Sequence, residues 1–231
     1  MASYTFALQY CEVPILTVQH PRKGRKLAQV HVGARQIFLR DGYAGASVDD
    51  IARAARVSKA TLYSYFPEKS VMFREVMLHE LEEVAQQSPV QIDSAMPAQA
   101  ALPEMARQIA QWQYSDLPLC LLRVNIAEAN RFPDIAGKYQ KVLDDILYDV
   151  IRQHLDRWVT QEELVIQNSL LAAHQLVSLT GATLQERLLV TAMPPEAHAA
   201  HIRDVSAEAA RIFLASYQPV DGRQRHAAKA C

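Results

Sequence analysis

Residues able to do chemistry are densest in one short run, Ser58-Lys59-Ala60-Thr61-Leu62-Tyr63-Ser64-Tyr65-Phe66, where a lysine and five hydroxyls stand within nine positions. A lysine ammonium is a point charge for phosphate, hydroxyls donate to phosphate oxygens, and a threonine methyl can touch a thymine methyl. That chemistry is nucleic-acid contact rather than catalysis. Other clusters fall short. His198 and His201 with Glu196 offer a start to a metal site, but no third and fourth ligand follows at workable spacing, so they read as a surface helix. Asp144, Asp145 and Asp149 sit among polar neighbours on a helical stretch and read as a solvated face, not as paired catalytic carboxylates. No nucleophile, base and oxyanion set can be assembled, so no enzyme is expected. Seven glycines form neither GxGxxG nor GxxxxGK[ST], and neither cofactor nor metal is expected. Cys11, Cys120 and Cys231 are odd in number and far apart; they suggest no disulfide framework, with Cys120 a packed thiol in a reducing cytoplasm.

The elements that must hold the run can be read from its flanks. Leu27, Val30, Ala34, Ile37 and Phe38 form a helical stripe that ends at Asp41-Gly42. Ser47-Val48-Asp49-Asp50 matches the capping box and opens a short helix through Ala55. After a break at Arg56-Val57, Ser58 caps a second short helix, Lys59 to Phe66, which Pro67 ends. A fourth helix carries Val71, Met72, Phe73, Val76, Leu81 and Val84 up to Ser88-Pro89. Two short helices across a tight turn behind a stabilising helix have the spacing of a helix-turn-helix, whose second helix fits a major groove.

Charge is distributed to match. Residues 22–80 hold eleven Lys/Arg against six Asp/Glu, whereas residues 81–231 hold thirteen against eighteen, although the whole chain of 231 residues carries only −1. A basic head on an acidic body suits phosphate binding. Half the residues are hydrophobic and 21% charged, the composition of a folded globular protein. Glu12 and Pro14 interrupt the mildly apolar start, which argues against a signal peptide, and no apolar run is long enough to span a bilayer.

The runs Ser47 to Ala52, Val57 to Phe66 and Glu68 to Phe73 resemble the DNA-binding head of TetR/AcrR-family transcriptional regulators over roughly residues 25–80. Ala127-Glu128-Ala129-Asn130-Arg131-Phe132-Pro133 looks like the turn between two ligand-domain helices in one AcrR-like branch. The resemblance implies that Lys59, Thr61, Tyr63, Ser64 and Tyr65 face DNA, that Ser47 and Lys69 hold phosphates, and that Leu62 and Phe66 pack inward. Ala60 stands where many relatives have glycine, and Ser64 where many have an aromatic residue. The basic run Arg22-Lys23-Gly24-Arg25-Lys26 suits equally an arm reaching the minor groove and a solvated linker.

Beyond a loop at residues 88–103 the chain is predicted helical, in segments 102–114, 117–129, 133–158, 161–191 and 195–216. The expectation is an all-α protein with an N-terminal three-helix helix-turn-helix domain and a C-terminal helical bundle for ligand binding and dimerisation. Its parts are an extension (1–21), the DNA-binding domain (22–80), the effector and dimerisation domain (81–218) and a tail (219–231). Segments 161–191 and 195–216 would form a homodimer through Leu170, Leu171, Val177, Leu184, Leu188, Ile212 and Phe213. Trp112, Arg123, Asn125, Tyr139 and His174 are the candidates to line an effector pocket, although each also suits an ordinary core position. The implied function is a cytoplasmic homodimeric repressor on an inverted-repeat operator, released by a small molecule, with an effector-free regulator or an activator as alternatives.

Overall fold

The computed structural model describes residues 24–182 and 195–219, with no strand among them. Residues 1–21, Leu184, Leu188, the side chains of Glu196 and His198, and the tail after Pro219 lie outside the described residues. Element order is α1 (Gly24–Gly45), α2 (Val48–Ala54), α3 (Lys59–Tyr65), α4 (Lys69–Val84), α5 (Ala98–Gln113), α6 (Asp116–Glu128), α7 (Pro133–Leu143), a π-helical turn (Asp144–Tyr148), α8 (Asp149–Thr160), α9 (Ser169–Thr180) and α10 (Pro195–Tyr217). The class is all-α, as the 3.6-residue apolar spacing requires.

Two compact units share the chain. The first joins the described residues up to Gln86 with Ser115–Val142, so α6 and most of α7 are grouped with the helix-turn-helix. Its core holds Phe38, Ile51, Leu62, Met72 and Phe73, all nearly inaccessible to solvent. Helix α1 packs on α2, α4 and α6. Against α2 it comes so close at Gly33 that an added Cβ would lie 2.4 Å from the Ala55 nitrogen. Between α1 and α4, Arg35 donates to the buried Glu80 at 2.6 Å, beside the rings of His31 and His79 at 4.5 Å.

In the second unit α5 packs against α9 and α10, and α8 against α9. Three of its buried polar side chains are satisfied within the unit, whereas His154 Nδ1 and Arg157 Nε are buried without a hydrogen-bond partner among the described residues. Thr180 Oγ1 donates to Gln113 Oε1 at 2.9 Å, Tyr114 OH to the Thr180 carbonyl at 2.8 Å, and Trp158 Nε1 to the Met96 carbonyl at 3.0 Å.

Differences from the predicted segments have local causes. Helix α5 begins at Ala98 rather than 102 and carries Pro103 in its second turn, where the ring leaves the Gln99 carbonyl without its intrahelical amide donor. The segment 133–158 is helical throughout but widens into the π turn. Residues 161–168 are not helical. Glu162 takes φ 59, Val165 N–H donates to the Tyr217 carbonyl at 2.8 Å, and the helix restarts where Asn168 caps the Leu171 amide. Cys120, expected as a packed thiol, is buried on α6 and disulfide-bonded.

Candidate nucleic-acid interface

The two short helices are fixed by their own ends. Ser47 Oγ accepts from the Asp50 amide at 3.0 Å and donates to the Asp50 carboxylate at 2.6 Å, which holds that carboxyl below its usual range. Helix α2 then closes on Arg56, whose φ of 54 is left-handed. The Val57 amide reaches the Ala52 carbonyl at 3.0 Å and the Arg56 amide the Arg53 carbonyl at 3.1 Å, a Schellman closure that makes the turn tight. Ser58 restarts the chain by accepting from the Thr61 amide at 3.1 Å.

Helix α3 buries Leu62, with Phe66 buried just beyond its end, and sends the rest of the run outward. Lys59, Ala60, Tyr63 and Ser64 are exposed, Tyr63 to 45%, while Thr61 and Tyr65 are half-buried. Several polar groups already have partners. Lys59 Nζ pairs with Asp49 at 2.6 Å, which raises its pKa, and Ser64 Oγ donates to the Thr61 carbonyl. Thr61 Oγ1 lies 2.9 Å from Ser58 Oγ. Ser47 is engaged in its cap. Lys69 Nζ donates to the carbonyls of Tyr43 and Ala46 at 2.8 and 2.9 Å and lies 4.3 Å from the Tyr43 ring centroid. One of its three N–H groups remains for a phosphate.

Sequence reasoning missed the residues behind this surface. Helix α1 kinks at Gly42 (φ 67), turning the amides of Tyr43 and Ala44 toward Glu128, whose Oε1 accepts both at 3.0 and 3.1 Å. Glu128 is only 6% exposed, and its Oε2 accepts from Arg131 at 2.9 Å. Phe132 packs against Tyr43 and Phe73, and Arg74 pairs with Asp134. The available signal was a lone acid in the apolar stretch before Arg131-Phe132-Pro133.

A cleft of about 300 Å³, counting its open mouth, lies between α4, α6 and α7. Of the five pocket candidates, Asn125 and Tyr139 line it, together with Glu128 and apolar side chains such as Phe73, Met77 and Phe132. Arg123 lies on α6 but not on the cleft wall; desolvation lowers its pKa. Trp112 and His174 belong to the second compact unit, where His174 stacks on Tyr148 at 3.9 Å.

Residues 32–76 match the model of the N-terminal domain of bacterial regulatory proteins of the TetR family, and residues 100–219 that of the C-terminal domain of AefR-like transcriptional repressors. The chain belongs to the TetR family. It is a transcriptional regulator of that family, with the DNA-binding helix-turn-helix formed by α2 and α3. The HTH-type transcriptional repressor SCO4008 of Streptomyces coelicolor is 33% identical over 87 residues, a match spanning 35% of this chain and 45% of that relative. This TetR-family chain therefore matches less than half the length of that curated relative. Its fold is shared by a TetR-family regulator from Mesorhizobium loti, at 23% identity and TM-score 0.71, covering 87% of this chain and 100% of that one. The flavonoid-responsive regulator FrrA is 30% identical with TM-score 0.61, covering 86% and 100%. No described helix is long and apolar enough to cross a membrane.

Proposed function

We propose that this TetR-family regulator is a homodimeric repressor that binds an inverted-repeat operator through α3 and leaves it when a small molecule binds. One observation carries the reading: α3 buries Leu62 while directing Lys59, Tyr63 and Ser64 to solvent, as a helix entering a major groove must. Phosphates would be held by Ser47, Lys59 and Lys69, and the groove floor read by Thr61, Tyr63, Ser64 and Tyr65. The two-fold pairing uses segments 161–191 and 195–216. Leu170 and Leu171 support it, standing 45% and 53% exposed on α9, whereas Val177 and Phe213 are buried within the chain. The functional division remains a head at 22–80 and a body at 81–218, working in the cytoplasm. SCO4008 is a repressor and FrrA is flavonoid-responsive, which supports repression relieved by an effector.

The test is selection of bound sequences from random duplex DNA by the purified protein at two salt concentrations. An enriched inverted repeat, with half-sites about one helical turn or a multiple apart, is the expected result. Salt-sensitive binding with no enriched sequence would overturn the reading of α3 as a sequence reader.

A further inference from the structure

We infer that Cys120 and Cys11 form a reversible disulfide that ties the chain ahead of α1 to α6, and that its oxidation state sets how firmly the head holds an operator. The second half of the inference rests on the repressor reading proposed above.

Cys120 is disulfide-bonded, and the chain has two other cysteines, Cys11 and Cys231. The geometry of the first unit favours Cys11. Helices α1 and α4 run antiparallel: the rings of Phe38 and Phe73 lie 5.1 Å apart toward one end, and those of His31 and His79 4.5 Å apart toward the other. Glu128, the last residue of α6, meets the Tyr43 amide at the far end of α1, where Phe73 also packs on Tyr43. From there α4 proceeds to Leu81 and α6 leads back to Leu121, and both leucines line the cleft that these helices share. Cys120 therefore stands toward the end of the unit where α1 begins. The chain from Cys11 to Gly24 spans up to about 45 Å when extended. That exceeds the ~33 Å length of α1, so Cys11 reaches any point beside it. Cys231 instead follows α10, an element of the second unit.

In a reducing compartment such a bond is a transient, sensing one rather than a permanent staple. Cys120 is only 2% exposed, so an incoming thiolate attacks the Cys11 sulfur. The S–S bond breaks, Cys120 leaves as the thiolate and takes up a proton, and a mixed disulfide remains on Cys11. The second thiolate of a dithiol then attacks that mixed disulfide, which frees Cys11 and releases the reductant as its own disulfide. Oxidation by a low-molecular-weight disulfide runs the two exchanges in reverse, and the two electrons reduce that disulfide to two thiols.

Oxidised, α6 is tied to α1 at both ends. Glu128 accepts from the Tyr43 and Ala44 amides, and Cys120 holds the chain just ahead of Gly24. The turn beyond Ala44 leads directly into Ser47, the N-cap of α2, so slack between α1 and α6 becomes slack in the placement of α2 and α3. A reduced head must be ordered on the DNA, and that ordering subtracts from affinity. The bond also closes a loop of about 110 residues, long enough to stabilise the folded chain appreciably.

The test treats the full chain with oxidised glutathione or with dithiothreitol, then alkylates and digests it without further reduction. Mass spectrometry should find a peptide linking Cys11 to Cys120 after oxidation and none after reduction. Oxidation should raise the melting temperature by at least about 3 °C. It should also tighten binding to the operator obtained by selection at least threefold. Both differences should vanish in Cys11→Ser, which changes a residue ahead of α1, and persist in Cys231→Ser. The proposal is overturned by a peptide linking Cys120 to Cys231, by covalent dimers through Cys120, by absence of any linked peptide, or by equal operator affinities in the two states. Failure to select any operator would instead sink the repressor reading, and the linked peptide with its melting shift would still judge the bond.

Discussion

In the proposed binding mode, Lys59 would approach DNA with its charge already matched. Its ammonium lies 2.6 Å from Asp49, both side chains are more than half exposed, and a phosphate must replace that carboxylate. Exposed pairs of this kind are weak and screened by salt, so the exchange costs little, yet the acid still opposes the approach of a polyanion. Asp49→Asn is therefore expected to tighten operator binding by about two- to fivefold at low salt, with the gain shrinking as salt rises. Fluorescence anisotropy with a labelled operator measures this, and an unchanged or weaker affinity would remove Lys59 from the interface. Tyr63 offers the opposite case. Its ring is 45% exposed on α3, so Tyr63→Ala should leave thermal stability within about 0.5 kcal/mol of wild type while weakening operator binding about tenfold or more. Equal losses in melting temperature and in binding would mean that the ring supports the fold rather than the contact.

Helix α1 is the element on which the head depends, and it is held at two close approaches. Gly33 meets the Ala55 backbone so tightly that a Cβ would lie 2.4 to 2.7 Å from three of its atoms. Alanine gains about 1 kcal/mol of helix propensity over glycine, but a clash with backbone rather than a movable side chain outweighs it. Gly33→Ala should lower stability by about 1–3 kcal/mol in urea unfolding, and a stabilised variant would show that α2 can retreat. The second approach is the seam with α4. Burial, reinforced by the charges of His79 and Arg35, lowers the His31 pKa to about 4, against only the ring's hydrogen bond to the Glu75 backbone carbonyl, which favours the charged form. Since the unfolded chain binds that proton near pH 6.5, this contribution is complete above pH 6.5 and is lost as pH falls toward 4. The expected loss is about 2 kcal/mol, and it should be reduced in His31→Phe; a melting temperature independent of pH from 6.5 to 4.5 would contradict it. Much of this element-level architecture was legible in the sequence, because Ser47, Ser58 and Pro67 fix their helix ends through neighbours only a few residues away. Residues 161–168 were not legible. Leu164, Val165 and Ile166 continue a helical apolar pattern, while the break is made by the left-handed Glu162 and a hydrogen bond to Tyr217. Glu128 escaped for the same reason, since its partners are backbone amides at the far end of α1, and an amide has no sequence signature.

For the molecule as a whole, the slight net charge of −1 conceals a basic head, and binding to a polyanion is decided by the head. Removing a cation that neutralises one phosphate lowers the slope of log K against log salt by about 0.9, whatever the operator sequence. Two-fold symmetry doubles that effect, so the slope reports on assembly as well as on a residue. Lys69 serves this purpose because one of its N–H groups remains after the Tyr43 and Ala46 carbonyls are satisfied. Lys69→Ala is expected to weaken operator binding and to lower the slope by about 2 if a dimer engages both half-sites, but by about 1 if a single chain binds. The variant also leaves two carbonyls without their donor, so its melting temperature must be shown to exceed the assay temperature. With that established, an unaltered slope would mean that Lys69 acts only by bracing the turn after α1. A drop of about 1, with sedimentation showing a monomer on DNA, would mean that Leu170 and Leu171 do not build the dimer proposed for them.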